Sequence, residues 1–236
     1  MLNRPFSIYC DWALHDEIGD NVELDEEMTL EVLDKLGYWR GKGITFDYYL
    51  FDAFWFDPHG DYKQFKTTHW PNGFQKAREK IESLGMKPGL WFDVNGFSAP
   101  RNKAWERSLT KDKRSYCLFD GPYASGFYEA LVHAYKEWGV RIFKLDFANF
   151  MAITPELEGQ ISLDELYSKN TGALKKILKA FKNACPEAII LAYNGYELIP
   201  GYIANTSLPI KKGIDPSWLE VFDYLYSGDP RPADIP

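Results

Sequence analysis

Cysteine is scarce in this chain: three residues, Cys10, Cys117 and Cys185, out of 236. They show no Cys-x-x-Cys spacing, and three cannot all pair. That argues against a disulfide framework and against a zinc site built on thiolates. A surplus of basic charge is also missing. Lys and Arg number 27 against 34 Asp and Glu, a net charge of -7, so there is no footprint for nucleic acid. No uninterrupted apolar run reaches the roughly 18 residues a membrane-spanning helix needs. The start, MLNRPFSIYCDWALHDE, lacks the apolar core of a signal peptide. The compartment stays open between cytoplasm and export, and the oligomeric state is equally open. The first strand is followed by neither a Gly-x-Gly-x-x-Gly turn nor a His-x-His pair, which disfavours a dinucleotide-binding sheet and a metal-dependent barrel hydrolase.

What is present is apolar and aromatic. Hydrophobic residues make up 45% of the chain, enough for a full core, and aromatics reach 17%. Short apolar runs alternate with amphipathic ones. Strands are expected over residues 7–12, 46–56, 87–94, 140–147, 188–194 and 219–227. Helices are expected over 24–43, 73–85, 125–139 and 162–186, the last opened by a capping-box pattern of Ser162 and Glu165. Strands that are nearly continuous apolar runs, alternating with helices, imply parallel βαβ units with both sheet faces covered. No internal linker or second domain interrupts the pattern, so residues 1–236 read as a single domain.

The polar residues choose the architecture. Asp11, Asp52, Asp93, Asp146, Asn194 and Asp229 each fall at or just past the C-terminal end of a strand, the rim where a TIM barrel carries its active site. The fold class is therefore α/β, a (β/α)8 TIM barrel of which about six βα units are present. The chain stops at ADIP, just after the sixth strand, so the last two units are expected to be supplied elsewhere or missing.

Within GVRIFKLDFANF, residues 139–150, Lys144 and Asp146 lie two apart and so share a face with Ile142. In a barrel that face points inward. A lysine beside Asp146 keeps its carboxylate ionised, as a nucleophile or an oxocarbenium stabiliser requires. The bland alternative is a buried Lys–Asp pair that satisfies only itself. A second carboxylate for acid/base work is Asp229 in YSGDPRPAD, with Asp234 as the fallback; its bland alternative is a turn aspartate. The loop FWFDPHGDYKQFKTTHW, residues 54–70, reads as a pocket wall, with Trp55 or Trp70 as a stacking surface and Trp105 and Tyr123 as weaker candidates. Asp57, His59 and Asp61 match no metal-binding spacing.

These segments resemble a known family. WPNGFQKAREKIESLGMKPGLWFD (70–93) looks like the second helix and third strand of glycoside hydrolase family 36 α-galactosidases and their clan relatives. YLFDAFW resembles their Asp-Asp-Gly-Trp strand, FKLDFAN their Lys-Trp-Asp strand, and YSGDPRP their Ser-Asp-Asp segment, in the same order. The resemblance covers about residues 45–232. It implies a TIM-barrel catalytic domain that hydrolyses α-glycosides or oligosaccharides with retention, with no cofactor or metal and no nucleic-acid or membrane partner. It makes Asp146 the nucleophile and Asp229 the acid/base, and gives Lys144, Asp52 and Asp93 to the sugar. Asp11, Trp55, Trp91, Asn149 and Asn194 complete the expected substrate contacts. Ala53 stands where the family has its second hydroxyl-holding aspartate, Phe54 replaces the Gly, Leu145 replaces the Trp, and Gly228 interrupts Ser-Asp-Asp, so the resemblance is to a divergent member. A transglycosidase of raffinose-synthase type and a non-catalytic carbohydrate-binding barrel are the alternatives.

Overall fold

A computed structural model of the chain describes residues 5–19, 22–96, 101–198 and 213–226. Six parallel strands make one sheet, in the spatial order β1 (Ile8–Cys10), β2 (Tyr48–Phe51), β3 (Lys87–Asp93), β4 (Ile142–Asp146), β5 (Ile189–Ala192) and β8 (Tyr224–Leu225). Two short strands, β6 (Glu197–Leu198) and β7 (Gly213–Ile214), pair antiparallel outside that sheet. Helices α1 (Trp12–Ile18) and α2 (Glu26–Arg40) join β1 to β2, and α3 (Gln75–Ser83) joins β2 to β3. Helix α4 (Tyr123–Lys136) joins β3 to β4, and α5 (Leu163–Ala184) joins β4 to β5. The sheet curls into a half-barrel, as expected of an incomplete TIM barrel.

Both faces of the sheet are apolar, and strand alternation divides most of their residues into two clusters. Tyr49, Phe51, Leu90, Phe92, Phe143, Leu145 and Ile190 point outward and join the helices in the main core. Ile8, Cys10, Tyr48, Leu50, Ile142, Ile189 and Leu191 form a separate inner cluster on the concave side. A period of two is what strands covered on both faces require. Residue Gly89 lies between Leu50 and Ile142 in register. The same register sets Trp91 beside Lys144 and Asp93 beside Asp146 at the strand tips.

The helix ends follow local chemistry. The Asp25 side chain accepts the Met28 N–H at 2.9 Å and starts α2. The Ser162 side chain accepts the Glu165 N–H at 3.2 Å and starts α5; such caps are worth about 1 kcal/mol. The expected capping box is half formed, because Glu165 pairs forward with Lys169 at 2.9 Å. Expected helix ends fall within three residues of the observed ones. The strand expected over 46–56 closes at Phe51, and Phe54 soon after adopts a left-handed φ of 74°. The strand expected over 219–227 shrinks to two residues behind a 3₁₀ turn, Pro216–Glu220, whose start Asp215 caps through the Ser217 N–H at 2.9 Å. No described helix is long and apolar enough to cross a membrane.

The inner layer is tightly fitted at Gly89. A Cβ there would meet Leu50 Cδ1 at 3.0 Å and Ile142 Cβ at 3.2 Å. Gly89→Val is therefore expected to destabilise the chain by about 1–3 kcal/mol, read as a lower urea midpoint.

Candidate functional site

The strand tips gather the charges. Asp52, Lys144 and Asp146 are 3%, 4% and 4% exposed. Lys144 Nζ donates to Asp52 Oδ2 at 2.7 Å and stands 4.0 Å from Asp146 Oδ2. The alternation of β4 places Lys144 and Asp146 on the inner side, as the sequence implies, but the main partner of the lysine is Asp52 rather than Asp146. Burial opposes the Lys144 charge; Asp52 first, with help from Asp146, outweighs it and leaves the ammonium above its ordinary pKa. One positive charge thus compensates two carboxylates from two different strands.

Asp146 is held by N–H donors. Its Oδ1 accepts the main-chain N–H of Phe147 at 2.8 Å and of Asn194 at 3.1 Å. Its Oδ2 accepts the Trp91 indole N–H at 3.0 Å. Two backbone features allow this. Phe147 takes a left-handed φ of 50°, which turns its N–H back onto the preceding carboxylate and is unfavourable for a bulky residue. Gly195, with φ of 99°, lets the β5 loop approach the β4 loop so closely that a Cβ would lie 2.3 Å from the Ala148 carbonyl oxygen. The Asn194 carbonyl then accepts the Ala148 N–H at 3.1 Å, which fixes the donor that Asp146 uses.

The remaining expected residues separate into supports and core. Asp11 is buried and spends Oδ1 on the Asp52 N–H at 2.7 Å, so it braces Asp52 from behind. Asp93 is fully buried; its Oδ1 accepts the Asn95 N–H at 3.2 Å, and its carbonyl accepts the Tyr62 and Tyr123 hydroxyls. Asn149 is exposed and shapes its own loop, accepting the Met151 N–H at 3.1 Å and donating to Ser115 Oγ at 3.4 Å. Asn194 reaches Asp146 through its main chain. The stacking role expected of Trp55 is corrected: it is 1% exposed, donates to the Trp91 carbonyl at 2.9 Å and packs among Phe56, Phe65, Phe92 and Trp138. Trp70, Trp105 and Tyr123 are likewise core. The Asp57 side chain caps a turn at the His59 N–H. Asp229, with Ser227, Gly228 and Asp234, lies outside the described residues.

Two aromatic residues escaped the sequence reading. Tyr193 and Tyr226 stack at 4.0 Å with rings 12° apart, and Lys144 Nζ stands 3.8 Å over the Tyr193 ring. This cation–π contact gives the buried ammonium a further partner. The signal was available: Ile189, Leu191 and Tyr193 alternate along β5, so Tyr193 rather than Asn194 continues the inner face.

No family model and no curated protein matches the chain. Solved structures do. The family 36 α-galactosidase AgaA of Geobacillus stearothermophilus, in a complex of a variant with 1-deoxygalactonojirimycin, superposes with a TM-score of 0.64 over 96% of this chain, at 13% identity. An α-galactosidase from Thermus thermophilus, bound to p-nitrophenyl α-D-galactopyranoside, gives 0.53 over 81% at 20% identity. One from Lactobacillus brevis gives 0.57 over 80% at 11% identity. The fold is similar to that of the barrels in these proteins. The chain spans 31%, 38% and 27% of the length of those three proteins, so the half-barrel described here corresponds to a part of each.

Lys144 is the residue on which this barrel's site charge depends. Lys144→Met leaves Asp52 buried without its cation, and loss of one partner of a buried pair typically costs about 3–5 kcal/mol. Urea unfolding at neutral pH is expected to show a loss of that order. Because folding raises the lysine's pKa, the wild-type advantage is present below the ordinary lysine pKa and fades as pH rises through the folded value.

Proposed function

We propose that this barrel is a retaining α-glycosidase of α-galactosidase type. The observation that carries the reading is Asp146: a carboxylate at the tip of β4, aimed by two main-chain N–H groups and one indole N–H. Three donors on one carboxylate fix its orientation, which suits a nucleophile. In the reaction Asp146 attacks the anomeric carbon while the bond to the leaving oxygen breaks. Asp229, protonated, gives its proton to that oxygen. A covalent glycosyl–enzyme results, and Asp229 then takes a proton from the water that releases the sugar. Retention requires the two carboxyls to stand about 5–5.5 Å apart. Asp52 and Lys144 act on sugar hydroxyls. Solved relatives of the fold carry raffinose and stachyose, which supports an α-galactosyl oligosaccharide as the substrate class.

One observation favours a second reading, a barrel that binds carbohydrate without turnover. Ala53 follows Asp52 where a second carboxylate would help hold the sugar, and folds outlive their chemistry. The two readings part on kinetics with p-nitrophenyl α-galactoside. The glycosidase reading expects measurable turnover that Asp146→Asn abolishes. It expects Asp229→Ala to lose about 10²–10⁴-fold on an oligosaccharide, whose leaving sugar needs a proton, and to lose less on p-nitrophenyl α-galactoside, whose leaving group does not. Near wild-type turnover in Asp146→Asn would remove Asp146 from the nucleophile's role.

A further inference from the structure

Beneath the site lies a buried acid that the proposed chemistry does not consume. Asp11 directly follows β1, is 2% exposed, and accepts the Asp52 main-chain N–H through Oδ1 at 2.7 Å. Its own N–H donates to the Leu50 carbonyl at 3.2 Å, so β1 and β2 are tied at their tips in both directions. Asp52 in turn fills both of its oxygens. Oδ1 accepts the Ala53 N–H at 2.9 Å, and Oδ2 accepts Lys144 at 2.7 Å and the Cys10 thiol at 3.5 Å. Lys144 stands next to Asp146. A continuous set of contacts therefore runs from β1 to the carboxylate on β4.

We propose that Asp11 is a positioning residue, a carboxyl that holds the Asp52 main chain and thereby sets where Lys144 stands between Asp52 and Asp146. The inference deepens the glycosidase reading of the same site and rests on it for its kinetic arm. The surroundings of Asp11 disfavour the charged form of its carboxyl. The groups facing it are Tyr9 and Cys10 on its own strand, Tyr49 and Asp52 on β2, and Lys144 on β4. Burial first, then the Asp52 charge, holds the Asp11 carboxyl well above the ordinary carboxylate range. Burial likewise pushes up the Tyr9 and Tyr49 phenols and the Cys10 thiol, which leaves them uncharged at neutral pH. Lys144 is the one cation in that set, and Asp52 already holds it at 2.7 Å. Ionising Asp11 would add a second anion behind Asp52 and draw Lys144 away from Asp146. The arrangement therefore has a proton-dependent failure point on its alkaline side.

The sign of the stability effect follows. Folding raises the Asp11 pKa, so the folded chain keeps a proton that the unfolded chain releases. The contribution is complete below the ordinary carboxylate pKa and is lost as pH rises through the folded value.

Asp11→Leu and Asp11→Asn test the proposal together. Leucine keeps the branched shape and removes the acceptor; asparagine keeps an acceptor oxygen and cannot ionise. With p-nitrophenyl α-galactoside, Asp11→Leu is expected to lower kcat about tenfold with a smaller change in KM. Asp11→Asn should recover most of that loss and lack the alkaline decline of the wild type. Independently of activity, 13C-carboxyl NMR of aspartate-labelled protein from about pH 3 to about pH 9 should show one carboxyl that titrates well above the ordinary carboxylate range and vanishes in Asp11→Asn. The Lys144 side-chain resonance should shift in Asp11→Leu. A folded Asp11→Leu with wild-type kcat and an unmoved Lys144 resonance would overturn the proposal, as would the lack of a late-titrating aspartate. If the wild type is inert on the glycoside, the glycosidase reading fails alone, and the two NMR measurements decide for Asp11.

Discussion

The half-barrel's polar tip depends on one buried ammonium. Taking a charge out of water costs several kcal/mol, and Lys144 is 4% exposed. That cost is offset by Asp52 at 2.7 Å, by Asp146 at 4.0 Å and by the Tyr193 ring at 3.8 Å. The partners come from β2, β4 and the end of β5. Lys144 is thus both a site residue and the electrostatic tie that makes three strand tips agree on one geometry. Removing it would leave carboxylates of two strands facing one another across an apolar floor.

Around that tie the backbone does what side chains do not. Asp146 receives two main-chain donors because Phe147 accepts a left-handed turn and Gly195 accepts the close approach of Ala148. The Phe147 turn is strained for a bulky side chain, whereas Gly195 takes its positive φ at no steric cost; strain of the first kind gathers where geometry matters more than stability. The inner floor beneath, built on Leu50, Ile142 and Ile189 around Gly89, is conventional packing. The aromatic surplus of the chain mostly serves the outer core, where Trp55, Phe65, Trp70, Phe92 and Trp138 meet ring to ring.

Much of this was legible in the residues. Six apolar runs spaced by amphipathic helices gave the parallel sheet, and the carboxylates at strand ends gave the rim, because period and burial are local signals. The shared face of Lys144 and Asp146 follows from their spacing of two. What was not legible is tertiary. Nothing in β4 says that Lys144 prefers a carboxylate 92 residues away to the one beside it. Trp55 looks like a wall in a polar loop, yet its fate is set by the Trp91 carbonyl and by Trp138. Asn194 was singled out over Tyr193 because an amide at a strand end draws more notice than the phase of the strand. Helix α1 has only seven residues, too few for periodicity to register.

The central claim is that the carboxylate which Lys144, Trp91 and two main-chain N–H groups prepare is the one that becomes covalently bound to the sugar. Peptide mass spectrometry after incubation with a mechanism-based galactosyl fluoride tests it most directly. The account predicts a stoichiometric glycosyl adduct on the peptide that contains Asp146, and on that residue within it. A labelled carboxylate elsewhere in the chain, or a chain that binds the sugar and carries no adduct, would contradict it.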